Sequence, residues 1–227
     1  MTYEAVIFDL DGTLLNSLKG IADAMNALLL RLGYPTHPEE AYKYFVGEGI
    51  RELVIRALPE DKVNTHDIDG LIKDYRELYE TTWPEKSPPY AGIPELLDTL
   101  SQNNIKMGIL SNKSDDFTKR MTTALLPGKT FAAVMGKRPG IPAKPDPTAA
   151  LEIANIMGIA ARKIIFMGDS GVDMKTAVRA GMLPMGVLWG FREKHELINS
   201  GAKQLLNRPE ELGIDLLHHF FGIFVGL

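Results

Sequence analysis

The sequence contains no cysteine, has only two tryptophans, and shows no excess of positive charge. Without cysteine the chain has no disulfide framework and no thiolate metal site, which fits the cytoplasm. Its formal net charge is -4, from 25 Lys and Arg against 29 Asp and Glu. A basic footprint is the usual sign of nucleic-acid binding, so we expect no nucleic-acid partner.

Long apolar runs are also missing, since no segment approaches the ~20 residues that a membrane-spanning helix needs. The N-terminus lacks the basic and apolar regions of a signal peptide, so we expect a cytoplasmic protein without a membrane partner. The apolar tail at 220–227 is too short to span, and we expect it to pack on the body of the protein rather than on a partner. With 227 residues, 45% of them hydrophobic, the chain is long enough for one domain with an insert or for two small domains.

The segment Ala5–Phe8 is an unbroken apolar run, which is typical of a strand buried on both faces of a parallel sheet. Two carboxylates, Asp9 and Asp11, follow it, and then Gly12. An acidic pair at the end of a buried strand is costly unless a cation compensates it. Open α/β sheets bind ligands at this edge, so the pattern indicates a metal site, with a simple polar turn as the alternative.

Two kinds of periodicity divide the rest of the chain. Apolar residues at helical spacing predict helices, and no convincing strand, over 17–32, 38–45, 50–58 and 65–83. Ser17 and Thr65 are the expected N-caps of the first and the last of these helices. Beyond Pro84 and the pair Pro88-Pro89, predicted helices alternate with predicted strands at 105–110, 131–135, 164–167 and 184–188. This alternation predicts crossover units and a parallel sheet, which the first strand must join to find neighbours.

We therefore predict an α/β protein with a Rossmann-like three-layer core, built around a parallel sheet from residues 1–15 and 90–227. An all-helical cap, residues 16–89, is inserted after the first strand. The chain crosses between the two parts near 13–17 and 84–91, which makes these linkers natural hinges.

Polar residues follow three further strands or precede a helix: Ser111, Asn112, Lys144, Asp169 and Asp173. Each has a simpler explanation. The Ser-Asn pair could cap the next helix, the lysine could be solvated, and the two acids could serve a helix N-terminus. Together at one edge, however, they and the first acidic pair supply what phosphoryl transfer needs: a carboxylate nucleophile, an acid-base group, a cation site and donors for phosphoryl oxygens.

Four motifs in this order resemble those of the haloacid dehalogenase superfamily: F-D-L-D-G-T-L at 8–14, S-N at 111–112, K-P at 144–145 and G-D-S-x-x-D at 168–173. The helical insert resembles the cap that this family places between its first two motifs. Within the family, the pattern is most similar to that of phosphoglycolate phosphatases, on V-G-E-G at 46–49, P-Y-A-G at 89–92, S-N-K at 111–113 and G-V-L-W-G at 186–190.

The resemblance implies a role for each motif residue. Asp9 would be the nucleophile that forms an aspartyl-phosphate, and Asp11 would protonate the leaving alkoxide and then take a proton from water. A magnesium ion (Mg2+) would be held by the carboxylates of Asp9 and Asp169 and by the main-chain carbonyl of Asp11. Asp173 would support the metal or the lysine from behind.

The remaining motif residues would bind the phosphoryl group. The Ser111 hydroxyl and the backbone around Gly12 and Asn112 would contact the transferring oxygens. Lys144 would pair with Asp9 in the resting site and offset the negative charge of the transition state.

The cap must supply selectivity, because the core contacts only the phosphoryl group. Gly47 and Gly49 form a glycine-rich turn that opens a helix, where backbone amides can meet an anionic leaving group. Arg51 could bind a carboxylate or sugar hydroxyls there, or it could be an exposed arginine at a helix start. Trp189 is expected to fill the core rather than to line the cleft.

These features predict an Mg2+-dependent phosphatase that acts on a small phosphorylated metabolite similar to phosphoglycolate, as a monomer or homodimer. A phosphomutase of the same superfamily is the alternative. A dehalogenase is disfavoured because it needs no acid at Asp11. A non-catalytic binding module is disfavoured because no polar position of the motifs is missing.

Overall fold

A six-stranded parallel sheet with strand order β3-β2-β1-β4-β5-β6 forms the centre of the chain in the computed structural model, which describes residues 2–213. The strands are β1 (Ala5–Phe8), β2 (Lys106–Ser114), β3 (Ala133–Lys137), β4 (Ile164–Gly168), β5 (Leu183–Val187) and β6 (Gln204–Leu206). The predicted parallel sheet, including its recruitment of the first strand, is confirmed.

The helices of the described residues fall into two sets. The first set, inserted between β1 and β2, contains α1 (Leu18–Arg31), α2 (Glu39–Phe45), α3 (Ile50–Ala57) and α4 (Ile68–Lys86). The second set accompanies the sheet and contains α5 (Ile93–Gln102), α6 (Asp115–Leu125), α7 (Thr148–Met157), α8 (Gly171–Ala180) and α9 (Lys194–Asn199).

Strand β1 lies in the middle of the sheet, and its alternating side chains enter two different cores. Val6 and Phe8 join the apolar cluster that contains residues of α5 and α6, whereas Ala5 and Ile7 join the cluster that contains residues of α7 and α8. All four side chains are fully buried. The strand is therefore apolar throughout because both of its faces are covered, and the three-layer α/β core is as predicted.

The inserted helices pack on the sheet side that carries α5 and α6. Met25 of α1 and Tyr75 of α4 belong to the same buried cluster as Phe8. The two connections to the core run beside each other, since Asn16 N–H donates to the Pro88 carbonyl at 2.8 Å and Tyr90 N–H donates to the Leu14 carbonyl at 3.0 Å. The all-helical insertion has the predicted place in the chain, while the division into two hinged domains stays a prediction.

Some local details differ from the sequence expectations. Helix α4 is capped by Asp67, whose side chain accepts from Asp69 N–H, and not by Thr65, whose hydroxyl instead donates to the Lys62 carbonyl. Pro84 does not end this helix but lies within its last turn. Helix α9 and strand β6 were not predicted, because each is too short to show a clear period.

Among the described residues, no helix has the length and apolar character that crossing a membrane requires. The apolar tail at 220–227 lies outside the described residues. Its packing on the body of the protein therefore stays a prediction.

Candidate active site

The carboxyl ends of three adjacent strands bring the candidate residues together. Phe8 of β1 pairs with Ile109 of β2 and with Met167 of β4. Asp9, Ser111 and Asp169 therefore follow this line within one or two residues, and all three are buried. Parallel strands end at a common edge, so the sequence places these three groups beside one cavity of about 70 Å³.

Lys144 is the buried cation of this edge. Its Nζ donates to Asp9 Oδ1 and to Asp173 Oδ1, both at 2.7 Å. Burial alone would lower the pKa of Lys144, but the charges of Asp173 and Asp9 outweigh it and raise the pKa above its ordinary value. The lysine is therefore held charged, with one ammonium group shared between two carboxylates.

The loop that carries Lys144 is fixed by Asn112. The Asn112 side chain accepts from Lys144 N–H at 2.9 Å and donates to the Lys144 carbonyl at 3.0 Å and to the Gly47 carbonyl at 3.0 Å. The simple capping explanation for Asn112 is excluded, since strand β2 continues to Ser114, which takes the N-cap position of α6. Asn112 thus positions the lysine and contacts the helical insertion at the same time.

Three buried carboxylates could hold a metal ion: ligand atoms of Asp9, Asp169 and Asp173 all lie within 4.8 Å of one another. Burial, with the charge of Asp173 next among the causes that raise it, brings the pKa of Asp9 to about 7 despite the opposing effect of Lys144. Burial and the charges of Asp173 and Asp9 raise the pKa of Asp169 well above its ordinary value. A divalent cation would remove this cost, and carboxylate oxygens are the ligands that Mg2+ prefers.

The three acids differ in how many hydrogen bonds their carboxylate oxygens already accept. Asp173 accepts from Lys144 through Oδ1 and from the Ser170 N–H and hydroxyl through Oδ2, at 3.1 and 2.6 Å. Asp9 Oδ2, by contrast, accepts no hydrogen bond from any described residue. Asp169 Oδ2 accepts from Phe191 N–H at 2.7 Å, while its Oδ1 accepts only a long hydrogen bond, 3.5 Å, from the Thr13 hydroxyl. Asp9 and Asp169 therefore fit a metal site best, and Asp173 fits the supporting position.

Close approach of two loops to Asp169 requires glycine at two positions. Gly12 has φ of +83°, and a Cβ there would lie 2.3 Å from Asp169 Oδ2. A Cβ on Gly190 would lie 2.2 Å from the Asp169 Cβ. Both distances are far below van der Waals contact, so the acid is enclosed by backbone that only glycine permits.

Asp11 is held by two side chains, neither of which we predicted in this role. Ser17, expected to cap α1, instead donates its hydroxyl to Asp11 Oδ1 at 2.6 Å. Lys113 Nζ donates to both carboxylate oxygens of Asp11, at 3.0 and 2.9 Å, and lies 4.8 Å from the ring centroid of Tyr79 in α4. The sequence offered one signal for Lys113, since it directly follows Ser111 and Asn112 in the S-N-K motif at 111–113.

The predicted cap residues separate into two groups. Gly47 and Gly49 line the cavity and have φ of +119° and +99°. Arg51 does not line it; its side chain is 48% exposed and forms an ion pair with Asp69 of α4. These contacts favour the alternative of an exposed arginine at a helix start, and a role for Arg51 at the leaving-group site stays a prediction.

The stretch after β5 also separates. Trp189 packs against the apolar core and donates its indole N–H to the Thr13 carbonyl at 3.0 Å, in line with the expected core position. Phe191 and Arg192, which have no assigned role in the sequence analysis, line the cavity. The cap side of this cavity is apolar and aromatic, with Leu53 and Tyr75 among its walls.

The parallel sheet, its acidic edge and the helical insertion after β1 define a haloacid dehalogenase-like hydrolase. Residues 6–187 match the family model of that description, so the chain belongs to this family. The phosphoglycolate phosphatase of Aquifex aeolicus is 31% identical over 211 residues, which are 91% of this chain and 93% of the relative. That of Pseudomonas putida is 31% identical over 189 residues, covering 82% and 70%.

A solved structure gives the same result. A hydrolase of the haloacid dehalogenase-like family from Streptococcus pneumoniae has a TM-score of 0.82 at 25% identity, covering 92% of this chain and 96% of that chain. The predicted resemblance to this superfamily, and within it to phosphoglycolate phosphatases, is confirmed. The chain is an enzyme of the hydrolase class.

Proposed function

We propose that the chain is an Mg2+-dependent phosphatase that hydrolyses a small phosphomonoester, similar to phosphoglycolate, through a phosphorylated aspartate. The observation that carries the proposal is the state of Asp9: buried, bonded to Lys144 through one oxygen, and without a hydrogen bond from any described residue on the other. A carboxylate oxygen in this state, facing a cavity that Asp11 also lines, is suited to attack phosphorus.

The reaction has two steps on this chain. In the first, an Asp9 oxygen forms a bond to phosphorus, the bond from phosphorus to the ester oxygen breaks, and protonated Asp11 gives its proton to the departing alkoxide. In the second, Asp11 takes a proton from water as the water oxygen attacks phosphorus. The bond from phosphorus to Asp9 then breaks, which releases phosphate and restores the free carboxylate.

The other residues compensate the charge of the phosphoryl group. Lys144 neutralises part of it, and the Ser111 hydroxyl with the backbone around Gly12 and Asn112 would donate to its oxygens. Asp9, Asp169 and the Asp11 main-chain carbonyl would hold Mg2+, which when bound polarises phosphoryl oxygens.

We expect Mg2+ to stabilise the protein more at high than at low pH. Burial raises the pKa of Asp169, so in acid the folded protein holds a proton that the cation must displace. At a hundredfold excess over Kd and about pH 8, Mg2+ should add about 2.7 kcal/mol to the free energy of unfolding. The matching rise in Tm is about 5–11 °C, and it should shrink toward about pH 5.5. Thermal unfolding in MgCl2 and in EDTA measures the difference. Asp169→Asn should abolish the rise in Tm, and Asp146→Asn, at a partly exposed site outside the cavity, should not. An equal rise at both pH values would exclude this metal site.

We expect Lys113→Met to impair hydrolysis most where the leaving group needs a proton. Without Lys113 the Asp11 side chain loses the donor that holds both of its oxygens in place. Proton transfer from Asp11 to the leaving group should therefore slow. We predict a fall in kcat of about 10- to 100-fold for an alkyl phosphate and a smaller fall for a nitrophenyl phosphate, whose leaving group departs unprotonated. Lys119→Met, at an exposed position of α6, is the matched control. Equal losses on the two esters would mean that Lys113 does not act through the acid.

The substrate class is tested by release of inorganic phosphate from a panel of phosphorylated metabolites, ranked by kcat/KM. We expect Mg2+-dependent release, with small esters such as phosphoglycolate ranking high. Interconversion of hexose phosphates without net release would instead favour the phosphomutase. The position of Asp11, which lines the cavity together with Asp9, supports a phosphatase over a dehalogenase.

The partners, oligomeric state and location of the enzyme stay predictions that rest on the sequence. We propose a small phosphorylated metabolite as partner, no nucleic-acid or membrane partner, a monomeric or homodimeric state, and a place in the cytoplasm.

A further inference from the structure

Arg192 occupies an unusual position in the loop that follows β5. Its side chain is only 11% exposed, and it lines the same cavity as Asp9. Nη2 donates to the Val46 carbonyl at 2.8 Å, and Nε pairs with Glu196 Oε2 at 3.3 Å. The third nitrogen, Nη1, is buried and has no hydrogen-bond partner among the described residues.

An unpaired donor on a buried charged group requires an explanation. Leaving such a donor unsatisfied destabilises the folded protein, and more so when the group is ionised. Glu196 does not relieve it, because Glu196 Oε1 accepts from Gly171 N–H at 2.8 Å and Oε2 already faces Arg192 Nε. Two of the three guanidinium nitrogens are therefore held by protein, and Nη1 with its two N–H donors remains without a partner among the described residues.

The other cations that line the cavity are already paired. Lys144 is shared between Asp9 and Asp173, and Lys113 contacts both oxygens of Asp11. Among the described cations of this cavity, Arg192 alone has an unpartnered nitrogen. A second negative charge on a substrate, away from the phosphoryl group, would therefore find its partner at Arg192.

Arg192 also lies against the part of the insertion that is expected to select substrates. Its guanidinium is 5.5 Å from the ring centroid of Tyr44, and a Cβ on Gly47 would lie 3.6 Å from Nη2. The bond to the Val46 carbonyl fixes the guanidinium plane beside the glycine-rich turn at 46–49. An arginine oriented in this way is prepared to bind a planar anion, because little side-chain entropy remains to be lost.

We propose that Arg192 binds the carboxylate of the leaving group. The inference rests on the proposed phosphatase function and adds a specificity residue to it. Arg192 belongs to the core, whereas Arg51, for which carboxylate binding was considered from the sequence, belongs to the helical insertion.

Two esters that differ only in the second charge test the proposal. Phosphoglycolate carries a carboxylate where 2-hydroxyethyl phosphate carries a neutral hydroxymethyl group. In Arg192→Gln we expect the ratio of kcat/KM for phosphoglycolate to that for 2-hydroxyethyl phosphate to fall about 100-fold, since a buried charge-assisted bond is lost. Arg192→Lys keeps the charge without the fork and should recover part of the ratio. Arg31→Gln, at an exposed arginine of α1 outside the cavity, should leave the ratio as in the unchanged protein.

The outcomes separate the two proposals. Equal losses on both esters in Arg192→Gln would overturn the carboxylate site and leave the phosphatase standing. Failure of the unchanged protein to release phosphate from either ester, or from a nitrophenyl phosphate, would overturn the phosphatase and the carboxylate site with it. If Arg192→Gln does not fold, as judged by thermal unfolding, the ratio in Arg192→Lys decides: a selective loss on phosphoglycolate supports the site, and an unchanged ratio overturns it.

Discussion

Replacing Asp9 by Asn lowers kcat for a nitrophenyl phosphate by at least about 10^4-fold, because the variant has no carboxylate to accept the phosphoryl group. The fold should survive the change. Burial raises the pKa of Asp9 to about 7, so a neutral group at this position is tolerated, and Lys144 keeps its second partner, Asp173. Steady-state phosphate release, with thermal unfolding to confirm folding, measures both effects.

The matched control for this variant is Asp146→Asn. Asp146 is a partly exposed aspartate whose side chain accepts from Thr148 N–H at the start of α7, and it does not line the cavity. Its replacement should leave kcat within about twofold of the unchanged protein, as is usual for surface substitutions. If Asp9→Asn kept appreciable turnover, another residue would have to be the nucleophile.

Replacing Lys144 by Met lowers the free energy of unfolding by about 3–5 kcal/mol, because it leaves an uncompensated buried charge. In the folded protein the ammonium group bonds to Asp9 and Asp173 at 2.7 Å, and Asp169 lies within reach of the same cluster. Turnover should be lost as well. Urea unfolding in EDTA measures the stability, and Lys175→Met on the exposed side of α8 is the control.

The stability deficit of Lys144→Met should depend on pH with a definite sign. Burial already raises the pKa of Asp9 to about 7, against about 3.9 in an unfolded chain. Between these values the folded state binds a proton that the unfolded state lacks, so stability falls as pH rises. Without the lysine this fall should be steeper, and the variant should be most stable near the acid end of the range. A variant as stable as Lys175→Met at neutral pH would show that Lys144 does not compensate the acids.

Much of the fold could be predicted because the spacing of apolar residues in each segment reflects which of its faces are buried in the folded protein. Strand β1 is apolar at every position since it is buried on both faces, and a strand of that kind must find neighbours on both sides. Helix α9 and strand β6 could not be predicted in the same way. At six and three residues they carry too few side chains to show a period.

The catalytic edge could also be predicted, since strand ends converge whatever the loops do. Asp9 and Asp169 follow β1 and β4, Ser111 lies near the carboxyl end of the paired strand β2, and the topology alone brings them together. The direction of side chains outside the strands could not be predicted, because it depends on distant partners. Arg51 pairs with Asp69 in the next long helix and turns away, whereas Arg192 reaches a backbone carbonyl far away in the chain.

Polar side chains near helix starts were the other weak point. Ser17 stands at the N-cap position of α1, where a serine normally accepts from the helix backbone. Its hydroxyl instead donates to Asp11 Oδ1 at 2.6 Å and makes no hydrogen bond to the backbone of α1. Local propensity is overruled where catalytic geometry demands the same hydroxyl.

The most direct test is the covalent state of Asp9 during turnover. The protein is mixed with Mg2+ and a phosphomonoester, quenched in acid, digested and examined by mass spectrometry. We expect the peptide that contains Asp9 to gain the mass of one phosphoryl group, and the corresponding peptide of Asp9→Asn to gain none. Phosphate release without this modification, or with the phosphoryl group on another residue, would contradict the account.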